Sequence, residues 1–571
     1  MRYYNYTKGK LNMKFSEMKY ERLDVKAIGE KYDGLTEAIK NADSAQSVFD
    51  ALIEHEKLLS NFGTMSNLAY IRHSVNTEDK FYDDENAYYD ENGPVLQEKT
   101  TDFMLALMAS QYRKDVEAKY GSLLFKNLEM ELKCFSPEII PLLQKENKLV
   151  SDYQKLIASA QIDFNGEKLN ISQLGVYKVD KDREIRKKAF EAEGGFYMSH
   201  GDTLDEIFDQ LVKVRTEIAQ KLGFKNFTEL GYMRRTRNCY TPEMVKVFRE
   251  QVKKDLVPVV SAIKKEQAES IGVDSLKLYD DTTFYLNGNP KPVGTAEDIL
   301  AAGKQMYEEM SPEASEFINF MYDNELPDVK AKKGKAVGGY CTGLPDYKAP
   351  FIFSNFNGTA GDVDVLTHEA GHAFADYMVR NFVLEESKNP TMESCETHSM
   401  SMEFFAWPWL DLFYKDDVKR ARITHLKGTL IFIPYGCIVD EFQHIVYDNP
   451  ELTPAQRHEA WADLERQYRP YIDMTGIPFY GDGRGWQRQL HIYHYPFYYI
   501  DYCLAQTVAL EFHLLAQKDY KEAWSRYMKF VNKGGTQTFV ELCKTADMKT
   551  PFEEGVLKQI GTDAKKWLDE Q

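Results

Sequence analysis

Residues 362–378 read DVDVLTHEAGHAFADYM, and at their centre stands His368-Glu369-Ala370-Gly371-His372, an HExxH sequence. The stretch carries a long helical pattern. Gly358, Gly361 and Asp362 in front of it are start signals, with Asp362 the expected N-cap. On a helix the i,i+4 spacing sets both imidazoles on one face, one turn apart, where they can grip a single zinc ion. Glu369, beside the first histidine, can reach a water at that ion without becoming a ligand. Gly371 removes a side chain where another segment can approach closely.

A catalytic zinc site takes three protein ligands and leaves a position for water, so a third ligand is required. Residues 391–409 read TMESCETHSMSMEFFAWPW, with no glycine or proline before Pro408, and form a second predicted helix. Glu396, Ser399 and Glu403 fall at i, i+3 and i+7, one polar stripe among methionines and phenylalanines. His398 lies about 200° around the helix from Glu396 and cannot share its target. Carboxylates on so apolar a helix are costly to bury unless paired or metal-bound. Glu396 is therefore the expected third ligand, and Glu403 the group expected to orient a zinc histidine. Glu393, one turn earlier, competes for either place.

Around these two helices the chain has 571 residues, enough for about three or four cores. With 43% hydrophobic and 28% charged residues it can fill them and is not compositionally disordered. A net charge of −18 repels phosphate backbones and argues against nucleic acid as a partner. No apolar run approaches the roughly 18 residues of a membrane-spanning helix, so no membrane partner is expected. The N-terminal MRYYNYTKGKLN lacks a signal-peptide core, and residues 1–12 read as an extension ahead of Met13. Seven cysteines stand singly without a CxxC pair, which predicts reduced thiols and a cytoplasmic protein.

The first half is helix after helix. From Val48, the residues Leu52, Leu59 and Phe62 recur at helical spacing; His55 shares their stripe and is expected to be a core histidine without a role. A second stripe, Leu204, Ile207, Leu211, Ile218 and Leu222, is closed by Gly223. Residues 162–172, IDFNGEKLNIS, alternate about Asn-Gly as a hairpin would. The charge-rich stretch 178–195 reads as a solvated helix face. After about residue 330 the texture changes: KAVGGYCTGLP and APFIFSNF look like strands, and the strand at 350–356 is expected to offer a free edge to an extended peptide.

The H-E-x-G-H sequence, followed 24 residues after its second histidine by E-x-x-S-x-x-x-E, resembles the thimet oligopeptidase and oligoendopeptidase F family of zinc metallopeptidases (gluzincin type), in particular its bacterial oligoendopeptidase F-like and Pz-peptidase-like members. Gly338-Gly339-Tyr340 and Pro350-Phe351-Ile352-Phe353-Ser354-Asn355-Phe356 are similar to that family's segment before the zinc helix. The likeness is sharp over about 335–405 and 484–505 and diffuse in the N-terminal half. It implies one Zn2+ per chain held by His368, His372 and Glu396, with Glu369 as general base. It also implies a mainly α, two-lobed helical shell around a deep substrate channel, with a small β-sheet beside the HExxH helix. The lobes are expected at about 13–200 and 201–571.

A third patch, GRGWQRQLHIYHYPFYYIDYCLAQ (483–506), is dense in aromatics. Pro496 suits the first turn of a helix and pushes Tyr495 toward an extended conformation. Tyr499 and Tyr502 are then i,i+3 neighbours, with His491 and Tyr495 in the preceding loop. Attack on a peptide carbonyl builds charge on its oxygen, which a hydrogen-bond donor beside the metal stabilises. By the same likeness Tyr502 is the oxyanion donor and His491 its companion, with His494 the alternative, while Tyr495 and Tyr499 contact substrate. Tyr498 is read as core packing. Arg484 and Arg488 either hold a substrate carboxylate or pair structurally.

The expectation is a zinc endopeptidase that cleaves internal bonds of short unfolded oligopeptides with broad specificity, with some preference for cationic peptides. A dipeptidyl carboxypeptidase of related zinc-site design and a non-catalytic zinc-stabilised peptide-binding protein are the alternatives. The oligomeric state is not legible.

Overall fold

In the computed structural model of the chain, residues 13–336 and 338–571 are described; the extension expected over residues 1–12 lies outside them. Asp24, Ser44 and Asp79 each turn a side-chain oxygen onto a backbone N–H of the following helix, and three helices begin there: α1 (Val25–Lys40), α2 (Ala45–Val75) and α3 (Lys80–Ala109). They close on one another through Val25, Ile28, Tyr32, Leu52 and Phe103, in a core separate from the main one. Leu384, from far along the chain, is buried in the same core.

Asn165 and Gly166 take φ of 52° and 84° and close the expected hairpin between β1 (Ile162–Phe164) and β2 (Glu167–Leu169). The charged stretch behind it departs from expectation. It forms α4 (Arg183–Ser199), but Arg186 and Glu193 are buried rather than solvated. Arg183 and Arg186 pair with the buried Asp280 carboxylate at 2.7 and 2.9 Å, and Lys178 pairs with Glu193 at 2.7 Å. Within a pattern that reads as a solvent face, Arg186 and Glu193 are thus buried and need their partners, while Arg183 keeps 39% of its side chain exposed. The next helix, α5 (Gly201–Lys221), stops as expected, with Gly223 at φ 82° just beyond it. Tyr197 and Leu204, on either side of the lobe boundary expected at residue 200, share the main core.

A three-stranded sheet is built from β3 (Pro327–Lys330), β4 (Tyr340–Leu344) and β5 (Ala349–Phe356). β5 lies in the middle, parallel to β3 and antiparallel to β4, with Tyr340 opposite Phe353 and Leu344 opposite Ala349. The free edge expected at 350–356 is therefore corrected: both sides of β5 are occupied. Its apolar run is buried nearly throughout, as a strand covered on both faces requires. The edge strands are β3 and β4, and the Gly343 carbonyl of β4 accepts a hydrogen bond from Asn67 of α2 at 2.8 Å.

From β5 the chain turns through Gly358 at φ 82° into α6 (Ala360–Val379), the HExxH helix. Its N-cap is Thr359, not Asp362. Asp362 stands in the first turn and reaches back, accepting the N–H groups of Asn357 at 3.0 Å and Gly358 at 2.7 Å. Helix α7 (Met392–Phe405) crosses α6 at Gly371, where a Cβ would lie 2.6 Å from the Ser399 Cα. Only glycine allows that approach. Two more helices, α8 (Val418–Asp448) and α9 (Tyr499–Ala516), pack together, and α9 lies along α7. The fold is mainly α with a small sheet beside the HExxH helix. No helix of the described residues is long and apolar enough to cross a membrane.

Candidate active site

His368 and His372 present their rings from one face of α6, centroids 5.0 Å apart. Glu396 comes across from α7, its Oε2 3.4 Å from His368 Nε2 and 3.6 Å from His372 Nε2. One ligand atom from each residue lies within 4.8 Å of the others. A four-coordinate zinc with bonds near 2.0–2.1 Å sets its ligand atoms roughly 3.3–3.5 Å apart, so this trio needs little rearrangement to fit one. Two imidazole nitrogens and a carboxylate also suit that ion chemically. Burial alone would raise the Glu396 carboxyl, but the two imidazoles more than reverse this and hold it well below the usual carboxylate range.

The competitors stand elsewhere. Glu393 accepts a hydrogen bond from Thr391 Oγ1; burial and then the neighbouring Asp501 raise its carboxyl to about 7. His398 faces the core, edge-on to Phe530 at 5.5 Å between centroids.

Glu403 stands behind the trio. Its Oε1 accepts the His368 Nδ1–H at 2.7 Å and its Oε2 accepts the His425 Nε2–H at 3.0 Å. Burial works to raise this carboxyl, yet the two histidines bring it down to about 2, so it is ionised at neutral pH. The Trp407 indole N–H donates in turn to His425 Nδ1 at 3.0 Å. The sequence reading missed His425 and Trp407; neither sits at a diagnostic spacing from the motif, and a long-range fold contact has no local signature. A cavity of about 460 Å³ opens beside Glu403 and His425, lined also by Thr367, Phe432 and Gln506.

Glu369 follows His368 on α6 but stays out of the trio. Burial raises its carboxyl above the usual value, and the two imidazoles offset part of the rise. The Cys341 thiol of edge strand β4 lies within electrostatic reach of it.

The reading of Tyr498 as core packing is corrected: it is half-buried, and its hydroxyl donates to Glu396 Oε1 at 2.7 Å. Although α9 begins at Tyr499, Tyr498 already has helical dihedrals (φ −68°, ψ −34°). Tyr498 and Tyr502 are therefore i,i+4 neighbours on one face, ring centroids 4.8 Å apart. Pro496 falls in the turn before the helix rather than in its first turn, and His491 belongs to a short helix, Leu490–His494, rather than to a loop. Tyr502 is half-buried within electrostatic reach of Glu396 and Glu369; burial and then Glu396 hold its proton in place. Tyr499 packs on Phe432 and Tyr435 of α8 and edge-on to His491, 4.9 Å between centroids. Tyr495 is exposed, and the Arg235 guanidinium lies over the rings of Tyr495 and Tyr498 at 5.6 and 5.3 Å.

Gln489 Nε2–H donates to His491 Nδ1 at 2.8 Å, which leaves the other ring nitrogen as an N–H donor. Burial, then Arg235, lowers His491 to about 4, so it is neutral at pH 7. His494 instead bonds to Gln154 and stacks on Tyr495 at 3.9 Å. Arg484 pairs with Asp205 at 3.4 Å, and Arg488 lies over the Tyr480 ring at 5.8 Å. The aromatic turn is held firmly. Phe497 adopts φ 65°, its N–H donates to Gln443 Oε1 at 2.8 Å, and its carbonyl accepts from Arg237, which also pairs with buried Asp501 at 2.8 Å.

Sequence models of the peptidase M3 N-terminal domain and of peptidase family M3 match residues 15–135 and 176–562. The chain is similar to oligopeptidase PepF of Bacillus subtilis (strain 168), 22% identical over 564 residues that cover 91% of this chain and 80% of that one. Among solved structures it is similar to Pz peptidase A with an inhibitor, with a TM-score of 0.91 and 48% identity over 98% of this chain and 99% of the other. The oligoendopeptidase-F from Enterococcus faecium shares the fold at a TM-score of 0.61 and 16% identity, over 96% of this chain and 98% of that one. Since the HExxH helix, the carboxylate helix and the aromatic turn all lie within the longer match, the chain belongs to peptidase family M3 and is a metallopeptidase.

Proposed function

We propose that the chain is a zinc-dependent oligoendopeptidase that hydrolyses internal bonds of short unfolded peptides, with His368, His372 and Glu396 as the zinc ligands. The observation that carries this reading is the convergence of three ligand atoms within 4.8 Å, with Glu369 beside them and outside the set. Bound there, the ion supplies Lewis acidity toward water and the peptide carbonyl. Glu369 takes the proton of the attacking water and returns it to the leaving amine, and its raised proton affinity suits both transfers. Tyr502 and neutral His491 donate to the carbonyl oxygen as charge grows there. Tyr498, by occupying Glu396 Oε1, leaves Oε2 turned to the histidines.

Substrate binding follows from the surroundings. Edge strand β4 beside α6 offers backbone groups to an extended peptide, which favours broad specificity. Tyr495 meets the peptide from its exposed position, and Tyr499 bears on it through His491, against which it packs. A channel between an N-terminal lobe near 13–200 and a catalytic lobe near 201–571 admits short chains and excludes folded proteins. Seven free thiols suit the reducing cytoplasm.

The test is cleavage of a quenched fluorescent peptide before and after chelation. Activity should vanish with the metal and return with added zinc; full cleavage by metal-free protein overturns the reading. One observation favours a second reading, a dipeptidyl carboxypeptidase: the Arg235 cation over Tyr495 and Tyr498 has the charge to hold a substrate C-terminus.

A further inference from the structure

A second group of ligand-type side chains lies where the N-terminal bundle meets the connection between α6 and α7. His55 and Glu56 are consecutive on α2, and Glu386 belongs to the single helical turn Glu385–Ser387. One ligand atom from each lies within 4.8 Å of the others. His55 Nε2 is 3.9 Å from both Glu56 Oε1 and Glu386 Oε1.

Two observations separate this group from an ordinary polar cluster. His55 is 1% exposed and Glu56 6%, yet His55 Nε2, Glu56 Oε1 and Glu386 Oε2 have no hydrogen-bond partner. Such buried atoms are rare in folded proteins because each forfeits its hydration. The other ends of the same side chains are fixed. Tyr32 hydroxyl meets His55 Nδ1 at 3.0 Å, Phe103 stacks on the His55 ring at 4.7 Å, and the Glu385 N–H donates to Glu56 Oε2 at 2.9 Å. The imidazole and the Glu56 carboxylate are thus oriented from behind, with unsatisfied atoms turned toward one another and toward Glu386.

Two carboxylates facing each other beside an imidazole want a positive charge. The nearby Lys388 is engaged with Glu385 at 2.7 Å. A proton on the imidazole would set a charge between the two carboxylates, but at 3.9 Å from each the Nε2 stays beyond hydrogen-bond reach. A divalent cation satisfies all three at once. One nitrogen and two carboxylate oxygens favour a first-row transition ion such as zinc or manganese over magnesium or calcium. The 3.9 Å spacings exceed those of the HExxH trio, so the atoms must close by a few tenths of an ångström around zinc. Glu386, 34% exposed at its side chain, has room to make that move and leaves a side open for water.

We propose that His55, Glu56 and Glu386 form a second, structural site for a divalent transition-metal ion that ties the N-terminal bundle to the connection between the two helices of the HExxH trio. His55 then has a role, and the chain binds two ions rather than one. The position suits a tie: Leu384, two residues before Glu386, is already buried in the bundle core.

The test counts metal by mass spectrometry on protein equilibrated with excess zinc and then dialysed, and follows thermal unfolding with and without chelator. Wild type should carry two ions, His372→Ala one, and His372→Ala with Glu386→Gln none. In the His372→Ala background the chelator should lower Tm by several degrees, and this sensitivity should disappear in the double variant. Because that background lacks a ligand of the HExxH trio, the result is independent of the proposed peptidase site. Glu386→Gln alone should keep peptidase activity and lose one ion, which also serves if the double variant does not fold. A metal count unchanged by Glu386→Gln, or His372→Ala protein free of metal and indifferent to chelator, overturns the proposal.

Discussion

Glu403 holds His368 from behind, accepting its Nδ1–H at 2.7 Å while also taking His425 at 3.0 Å. That contact fixes the His368 ring and leaves Nε2, 3.4 Å from Glu396 Oε2, as the atom able to meet a metal ion. Loss of such a partner typically costs about 10–100-fold in metal affinity. Glu403→Ala should therefore bind zinc about 10–100-fold more weakly in competition with a chromophoric chelator, and regain most of its turnover at high zinc. Unchanged affinity would mean that the contact is incidental.

Tyr498 and Tyr502 share a helix face but touch different things, and their variants should separate. Tyr502→Phe removes the proposed donor to the developing oxyanion and should lower kcat about 10²–10³-fold with zinc affinity intact. Tyr498→Phe frees Glu396 Oε1 and should act chiefly on zinc affinity. Steady-state kinetics beside metal titration reads both effects; identical behaviour of the two variants would count against the division of roles.

A C-terminally amidated peptide distinguishes an endopeptidase from a carboxypeptidase. The endopeptidase should cut it at a rate close to that of the free acid, read from product masses. Strict dependence on a free carboxylate would give Arg235 the leading part in binding.

The tight crossing of α6 and α7 makes a stability prediction. Gly371→Ala forces a methyl against the Ser399 backbone and should destabilise the protein by about 1–3 kcal/mol in denaturant unfolding. No change in midpoint would show that the helices separate freely.

His513 makes a pH-dependent one. It is buried against Phe404 at 4.4 Å, with neither ring nitrogen hydrogen-bonded. Burial, then His425, lowers it to about 3. In the unfolded chain it titrates near 6.5, so below that pH the unfolded state binds the extra proton. The stability present above about pH 6.5 is then lost as pH falls toward 3, at up to about 1.4 kcal/mol per pH unit. His513→Phe lacks this loss, so its stability relative to wild type should rise between pH 7 and 5. A constant difference across that range would contradict the assignment.

The HExxH pair, Glu396 and Glu403 were legible because helical periodicity converts sequence spacing directly into a shared face. Tyr498 was not, because its place depends on where α9 begins, and one residue changes which tyrosines align. Strand order was also hidden: the aromatic run 349–356 marks burial but does not say which neighbours cover its edges. The pairs of Arg183 and Arg186 with the buried Asp280 look like solvated charge until the partner segment is known. His55 and Glu386 are so far apart in sequence that only the fold brings them together.

In the proposed mechanism His368, His372 and Glu396 hold the ion while Glu369 moves the proton, and metal content and peptide cleavage measured together on Glu369→Gln separate the two roles. The variant should carry as much zinc as wild type and lose about 10²–10⁴-fold in kcat/KM. Cleavage at the wild-type rate, or loss of zinc along with activity, would contradict it.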